Sequence, residues 1–178
     1  MNSQQLKKLG HKLTTYRMVN LLLALFSLIG MSYAMILQKV MFLMPCPLCV
    51  FQRVGLIGMG LFAFIAFVWN PRGKLSSRLA LLPALASILW SLGVAGRHVW
   101  LQHLPADQVP SCGTGLNYLL ETFPIMDVIR DVLTGSGECA EVVWTLAGLS
   151  IPEQSLLFFL ALSAVLIWQI ARGNARSL

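Results

Sequence analysis

The sequence predicts an all-α integral membrane protein, a bundle of four transmembrane helices. Of its 178 residues, 57% are hydrophobic and only 11% are charged, whereas a soluble domain carries about 25% charged residues. The mean hydropathy is +0.73, and the charges lie almost entirely outside four long apolar stretches. So little polar surface cannot cover a water-soluble globule, but lipid solvates the outside of a membrane protein.

Each apolar stretch is long enough for a membrane helix. A helix rises about 1.5 Å per residue and needs roughly 20 residues to cross the hydrocarbon core, and the shorter stretches can borrow flanking residues. The first stretch also resembles a signal peptide that ends at Ser32-Tyr33-Ala34, but its apolar run exceeds the usual length of about 7–15 residues. We therefore expect a single domain over residues 1–178 with helices at about 18–37, 48–69, 79–97 and 155–171.

The charged residues predict the orientation of the helices. Nine of the 13 Lys and Arg residues flank one end of the predicted bundle: Lys7, Lys8, Lys12, Arg17, Arg72, Lys74, Arg78, Arg172 and Arg176. All seven acidic residues lie between the third and fourth helices. The positive-inside rule then makes both termini cytoplasmic and places the loops at about 38–48 and 99–154 outside. Because the net charge of +6 reflects orientation, nucleic acid is not an expected partner.

The second outer loop contains an amphipathic segment. Apolar residues at positions 125, 126, 129, 132 and 133 share one helical face, and charged residues occupy the remainder. This pattern favours a short helix lying on the membrane surface. A helix packed on the outer ends of the bundle has the same pattern, so both arrangements remain open.

All four cysteines fall in the predicted outer loops. Cys46 and Cys49 form a Cys-Pro-Leu-Cys motif in the short loop, and Cys112 and Cys139 lie in the long loop. Three interpretations compete: two structural disulfides, a four-cysteine zinc site, or redox catalysis. A Cys-x-x-Cys pair closes a very small ring and commonly exchanges with other thiols, which favours catalysis.

The residues around Cys49 support the redox interpretation. Pro45 and Pro47 indicate a helix start, which puts Cys49 in or near the first turn, where the helix dipole stabilises a thiolate. Arg53 follows four residues later, on the same helical face. Its charge can act on Cys49 and on an oxygen-bearing ligand, although an arginine there also fits a simple anchor among lipid headgroups.

These motifs resemble the disulfide bond formation protein B (DsbB) family. The resemblance begins at residues 45–49, Pro-Cys-Pro-Leu-Cys, followed by Gln52 and Arg53. It continues through segments 97–105, 110–113, 137–141 and 148–152, and Trp144. Gln52 departs from the pattern, because some relatives have Glu before the arginine, and this puts a carboxylate role in quinone binding in doubt here.

The resemblance implies a membrane oxidase that reoxidises a periplasmic DsbA-like dithiol oxidase. Electrons would pass to a membrane quinone, either ubiquinone or menaquinone, and through it to the respiratory chain. It assigns the partner's attack to Cys112 in a Cys112–Cys139 disulfide. Released Cys139 would then exchange with Cys46 and free Cys49 beside the quinone.

The resemblance also implies ligand-binding residues and a location. Arg53 would hold a quinone carbonyl oxygen, and His103 matches a family histidine near the quinone, although alone it fits an ordinary surface histidine. His98 and Arg97 lie nearby and fit interface anchors. No metal is expected. The implied location is the bacterial inner membrane, with the cysteines in the periplasm.

Two alternative functions remain. A vitamin K epoxide reductase-like protein also combines a four-helix bundle, a Cys-x-x-Cys motif and a quinone, but the positions of the two cysteine pairs disfavour it. A non-enzymatic membrane scaffold would keep both pairs as structural disulfides.

Overall fold

The computed structural model describes residues 15–71, 73–105, 107–110 and 116–172, except the side chains of residues 116 and 117. Four of its helices are long and apolar enough to cross a membrane, which confirms the predicted fold class. Each of the four extends beyond its apolar stretch. The elements in chain order are α1 (Tyr16–Val40), α2 (Pro47–Trp69), α3 (Lys74–Gln102), α4 (Leu116–Thr122), α5 (Ile125–Thr134), α6 (Gly137–Ala140), β1 (Thr145–Leu146), β2 (Leu149–Ser150) and α7 (Ile151–Arg172).

The four long helices form a bundle in which α2 packs against α1 and α3, and α3 packs against α7. The α1–α2 and α3–α7 connections lie at one end of the bundle, here called the cysteine end. At the opposite end, side-chain hydrogen bonds join neighbouring helices. The Tyr16 hydroxyl donates to the Ser77 carbonyl oxygen at 3.2 Å, and the Arg78 guanidinium donates to the Ile170 carbonyl oxygen at 3.0 Å.

Small residues let α2 approach both of its neighbours closely. A Cβ atom added at Gly55 would lie 2.6 Å from the Ser87 carbonyl oxygen and would overlap Ser91 Oγ. A Cβ atom at Gly60 would overlap Ser27 Oγ on α1. Lipid supplies no hydrophobic drive for helix association, so such close backbone approach is a main source of packing energy in membranes.

The same serines hydrogen-bond across the helix interfaces. Ser91 Oγ donates to the Gln52 carbonyl oxygen, and Ser27 Oγ donates to the Leu56 carbonyl oxygen, both at 2.8 Å. Interhelical hydrogen bonds of this kind contribute about 0.6–2 kcal/mol each. Together these bonds fix the position of α2 along the bundle axis, and therefore the position of its first turn at the cysteine end.

The predicted helix in the second outer loop is α5, and it packs on the bundle through a different face. Val132 is buried as the pattern indicates, and so is Val128, which the predicted face omitted. Ile125 and Met126 are 63% and 71% exposed. The helix thus covers the ends of the bundle and leaves two apolar side chains exposed. Its buried valines pack in one cluster with Leu48, Val94, Leu101, Leu119 and Cys139.

A β-hairpin with two-residue strands and a two-residue turn precedes α7, and the sequence patterns did not predict it. Ala147 and Gly148 have φ values of 54° and 83° and join β1 to β2. The following Ser150 and Glu153 form a capping box. Glu153 Oε2 accepts from the Ser150 backbone N–H at 2.7 Å, while Ser150 Oγ lies 3.4 Å from the Glu153 backbone nitrogen. The Ser-x-x-Glu spacing was the available signal for this helix start.

We expect Gly55→Ala to destabilise the bundle, because the added methyl overlaps α3 and overpacking costs about 1–3 kcal/mol. Gly93→Ala is a matched control, since nothing lies within 4 Å of a Cβ atom there. Thermal unfolding of both variants in detergent, followed by far-ultraviolet circular dichroism, measures the difference. Equal melting temperatures would contradict the proposed role of this contact.

Candidate active site

Cys46 and Cys49 lie at the N-terminus of α2. Cys46 is the N-cap residue, and its Sγ accepts from the Cys49 backbone N–H at 3.4 Å. Pro47 occupies the first turn, where the N–H that it lacks would have no helical partner. This local geometry brings the two Sγ atoms to 3.1 Å. Both cysteines are free thiols in this structure.

The imidazole of His98 lies beside the two thiols, with one ring nitrogen near each sulfur. His98 is on α3 and is 3% exposed. Its Nε2 lies 3.8 Å from Cys46 Sγ, and its Nδ1 lies 3.9 Å from Cys49 Sγ. Either ring nitrogen is therefore close enough to exchange a hydrogen bond with a sulfur.

Gln52 fixes the orientation of this imidazole. The Gln52 side chain is buried, and its amide nitrogen lies 3.2 Å from His98 Nδ1. A carboxamide offers both a donor and an acceptor, so by rotating it can pair with His98 Nδ1 in either tautomer. Gln52 is thus the hydrogen-bond partner of the histidine.

Cys139 approaches the same group from the second outer loop. It lies on α6 and is 1% exposed. Cys46 Sγ, Cys139 Sγ and a nitrogen of His98 all lie within 4.8 Å of one another. The hydrogen bond with Cys46, together with burial, raises the pKa of the Cys139 thiol. Cys139 therefore keeps its proton near neutral pH.

Arg97 fastens the second loop to α3. Its Nε and one terminal nitrogen donate to the carbonyl oxygens of Leu133 and Thr134 at 3.1 and 2.8 Å, at the C-terminal end of α5. Its guanidinium also stacks 4.2 Å above the Trp100 ring. Gly135 follows with φ 85°, and a Cβ atom there would overlap Leu101. This end of the loop leads directly into the segment that carries Cys139.

A cavity of about 390 Å³ opens beside the thiols. It lies between α1, α2 and α7, beneath the first loop. Cys46, Cys49 and His98 form part of its wall. The Tyr33 hydroxyl lines the cavity and donates to Gln154 Oε1 at 3.2 Å, which bridges α1 and α7. Apolar lining residues include Ile29, Leu37, Leu43, Leu56, Phe158 and Phe159.

Arg53 lines this cavity and is anchored to α1. One terminal nitrogen donates to Gln38 Oε1 at 2.6 Å, and the other donates to the Ala34 carbonyl oxygen at 3.3 Å. Arg53 is half-buried. The contacts with α1 hold the guanidinium at the cavity wall.

Of the residues singled out from the sequence, His103 stands apart from this cluster. His103 has a side chain that is 66% exposed; its Nδ1 lies 2.9 Å from the Val99 carbonyl oxygen, and its Nε2 lies 4.0 Å from Glu153. It is not among the described residues that line the cavity. Cys112 lies outside the described residues.

The sequence alone predicts His98 only as an interface anchor, just beyond a third helix that ends at about residue 97. In the structure, α3 continues to Gln102 and contains this histidine. An ionisable residue inside a membrane helix is a functional candidate by default. A correct helix boundary would have identified His98 on that ground.

Comparisons with known proteins identify the family of this chain. The family profile of Disulfide bond formation protein DsbB matches residues 16–169. Disulfide bond formation protein B of Acinetobacter baumannii is 56% identical over 89% of this chain and 92% of its own length. Its counterpart from Psychrobacter arcticus is 54% identical over 92% and 95%, and that of Stutzerimonas stutzeri is 40% identical over 92% and 99%. The chain therefore belongs to the DsbB family of membrane disulfide bond formation proteins.

Proposed function

We propose that this protein is a quinone-dependent oxidase that reoxidises a periplasmic DsbA-like thiol oxidase. Electrons pass from the partner through Cys112/Cys139 and then Cys46/Cys49 to the membrane quinone pool and the respiratory chain. The observation that carries the proposal is the approach of Cys139, from one loop, to Cys46, in the other, within 4.8 Å. A scaffold with two static disulfides has no need for these sulfurs to meet.

The relay is a series of thiol–disulfide exchanges. A partner thiolate attacks Cys112, breaks the Cys112–Cys139 bond and releases Cys139. Cys139 attacks Cys46 and breaks the Cys46–Cys49 bond, which releases Cys49 as a thiolate. The partner's second thiol then displaces Cys112, and the partner leaves oxidised. Cys112 finally attacks Cys139, so that the loop disulfide re-forms and both thiols remain on Cys46 and Cys49.

Burial of Cys139 favours a fixed order of the thiol–disulfide exchange steps. Because its pKa is raised, the Cys139 thiol reacts slowly with outside disulfides when it holds its proton. Once released as a thiolate inside the cluster, it has Cys46 as a neighbour within 4.8 Å. The Arg97 contacts with α5 support this proximity, because they hold the loop against α3.

The cavity fits a quinone head group. Ligand pockets combine apolar walls with a few placed polar groups, and this cavity has apolar walls with Arg53 and Gln38 at one side. A bound quinone supplies an acceptor for two electrons and two protons. Arg53 offers a charged donor for a carbonyl oxygen, and Cys49 lies in the same cavity wall. His103 remains a predicted quinone neighbour that the cavity lining does not include.

The proposed location is the bacterial inner membrane with both termini in the cytoplasm. The support is the basic flanks of the helices at the end opposite the cysteines, as the positive-inside rule requires. The cysteine end then faces the oxidising periplasm, where a DsbA-like partner operates. The single bundle over residues 1–178 is proposed as one domain.

The purified protein should oxidise a reduced DsbA-like partner over many turnovers only when a quinone is present; without quinone, oxidation should stop once its own disulfides are used. Cys112→Ser should abolish partner oxidation, because the attacked sulfur is gone. Cys46→Ser should block quinone-coupled turnover, because Cys139 then has no disulfide to attack. Partner thiols and quinone absorbance are followed together. Repeated turnover without quinone, or full turnover by Cys46→Ser, would contradict the proposal.

Arg53→Gln should raise the KM for quinone at least about tenfold, because a hydrogen bond to a charged group contributes about 1.5–3 kcal/mol. Its kcat should also fall if Arg53 stabilises developing negative charge. Stopped-flow exchange between the partner and Cys112–Cys139 should be nearly unchanged. Arg78→Gln, at the opposite end of the bundle, is the matched control. An unchanged KM in folded Arg53→Gln would leave Arg53 as a headgroup anchor.

The orientation predicts the activity of fused reporters. A reporter that works only in the cytoplasm should be active when it is fused after Leu178, and silent when it is inserted near Gly115. Fusions in intact bacterial cells measure this directly, with protein abundance as the control. The reverse pattern would reject the proposed topology.

A further inference from the structure

Three side chains that bind soft metal ions converge between the two outer loops. Cys46 belongs to the first loop, His98 to α3 and Cys139 to α6, and their ligand atoms lie within 4.8 Å of one another. His98 and Cys139 are buried, at 3% and 1% exposure. We propose that the reduced protein binds one Zn²⁺ ion through Cys46 Sγ, Cys139 Sγ and His98 Nε2, and that this ion halts thiol exchange.

The spacing is close to that of a tetrahedral zinc site. Zinc–sulfur bonds of about 2.3 Å and zinc–nitrogen bonds of about 2.0–2.1 Å put neighbouring ligand atoms roughly 3.5–3.8 Å apart. Cys46 Sγ and His98 Nε2 are already 3.8 Å apart. The other separations, up to 4.8 Å, need to shrink by at most about 1.3 Å, and Cys139 sits on a helix of only four residues.

Hydrogen-bond partners of the proposed ligands are already in place. A zinc-bound histidine is normally oriented by a hydrogen bond at its other ring nitrogen. Here His98 Nδ1 faces the Gln52 carboxamide at 3.2 Å, while Nε2 faces Cys46. Rotation of the amide lets Gln52 Oε1 accept from Nδ1–H when Nε2 binds the ion. Ser136 Oγ lies 3.7 Å from Cys139 Sγ and is placed to stabilise a thiolate.

Cys49 can complete the coordination. Its Sγ lies 3.1 Å from Cys46 Sγ and outside the three-residue group, so it can take the fourth tetrahedral position after a rotation of its side chain. A set of three thiolates and one imidazole is a common structural zinc site. This set differs from a four-cysteine site, because His98 takes the position that Cys112 would fill.

Electrostatics favour a dication at this position. Two thiolates on Cys46 and Cys139 would lie within 4.8 Å of each other in a desolvated site, where like charges repel. A divalent ion neutralises both charges, and its binding releases the thiol protons without any oxidant. Only the reduced cysteines can bind it, since a sulfur in a disulfide is not a thiolate ligand. Zinc binding goes beyond the proposed oxidase function, whereas the block of exchange rests on that function.

The binding test uses the full-length protein in detergent, reduced with a phosphine and freed of excess reductant. Zn²⁺ is titrated against a chromophoric chelator, and Cd²⁺ is added separately to reveal its thiolate charge-transfer band. We expect one ion per reduced chain and none per oxidised chain. No binding by the reduced protein, or equal binding by the oxidised protein, overturns the proposal.

Variants test the ligand set. His98→Ala and Cys139→Ser should each weaken zinc affinity by more than the about 10–100-fold that loss of a supporting hydrogen bond causes. The exposed His103→Ala and the loop variant Cys112→Ser should retain wild-type affinity. Undiminished affinity in folded His98→Ala, or its loss in Cys112→Ser, overturns the assignment. X-ray absorption of the zinc complex provides a second readout, and a shell of sulfur alone also overturns it.

A turnover assay separates this proposal from the proposed function. Reduced protein preloaded with Zn²⁺ should lose quinone-dependent oxidation of the partner, and a chelator should restore it. Undiminished turnover with stoichiometric zinc bound would overturn the block of exchange. Absence of turnover in zinc-free protein would instead count against the oxidase function, while the titration still decides the metal site.

Discussion

Close packing of α2 between α1 and α3 is the constraint on which the remaining structure depends. Gly55 and Gly60 leave no room for a Cβ atom at these contacts, and serine hydroxyls from both neighbours donate to α2 carbonyl oxygens. The helix can therefore neither rotate nor slide without breaking several contacts at once. Its first turn, with Cys46 and Cys49, is held against His98 as a result.

The second loop owes its position to a different interaction. Arg97 donates to carbonyl oxygens at the end of α5, and Val128 and Val132 of that helix are buried against the bundle. These contacts place α6, and hence Cys139, at the first loop. A loop that carries a reacting sulfur must be held well enough to find its target and must still move when a disulfide exchanges. Packing confined to one face of a short helix is consistent with both needs.

The Gln52–His98 pair gives a physical reason why an uncharged side chain suits position 52. A glutamate at position 52 would bring a negative charge into a buried cluster that already contains three thiols. Burying an unpaired charge is costly, whereas the carboxamide hydrogen-bonds His98 without adding charge. Arg53 next to it is held by Gln38 and Ala34 on α1. Contacts with α1 thus position Arg53 at the cavity, whereas Gln52 of α2 orients His98.

The sequence by itself determined the four membrane helices, the helix start at Pro47 and the presence of Arg53 one turn below Cys49, because hydropathy and helical spacing are local properties. It also carried the resemblance that the family comparison confirmed. The tertiary structure alone decided that His98 lies beside both thiols, that the sulfur of Cys139 comes within 4.8 Å of that of Cys46, and which face of α5 is buried. These contacts join residues that are far apart in the chain, as Cys46 and His98 are, and they depend on helix rotation and depth. Neither quantity follows from a local pattern, since both are set by how side chains of separate helices fit together.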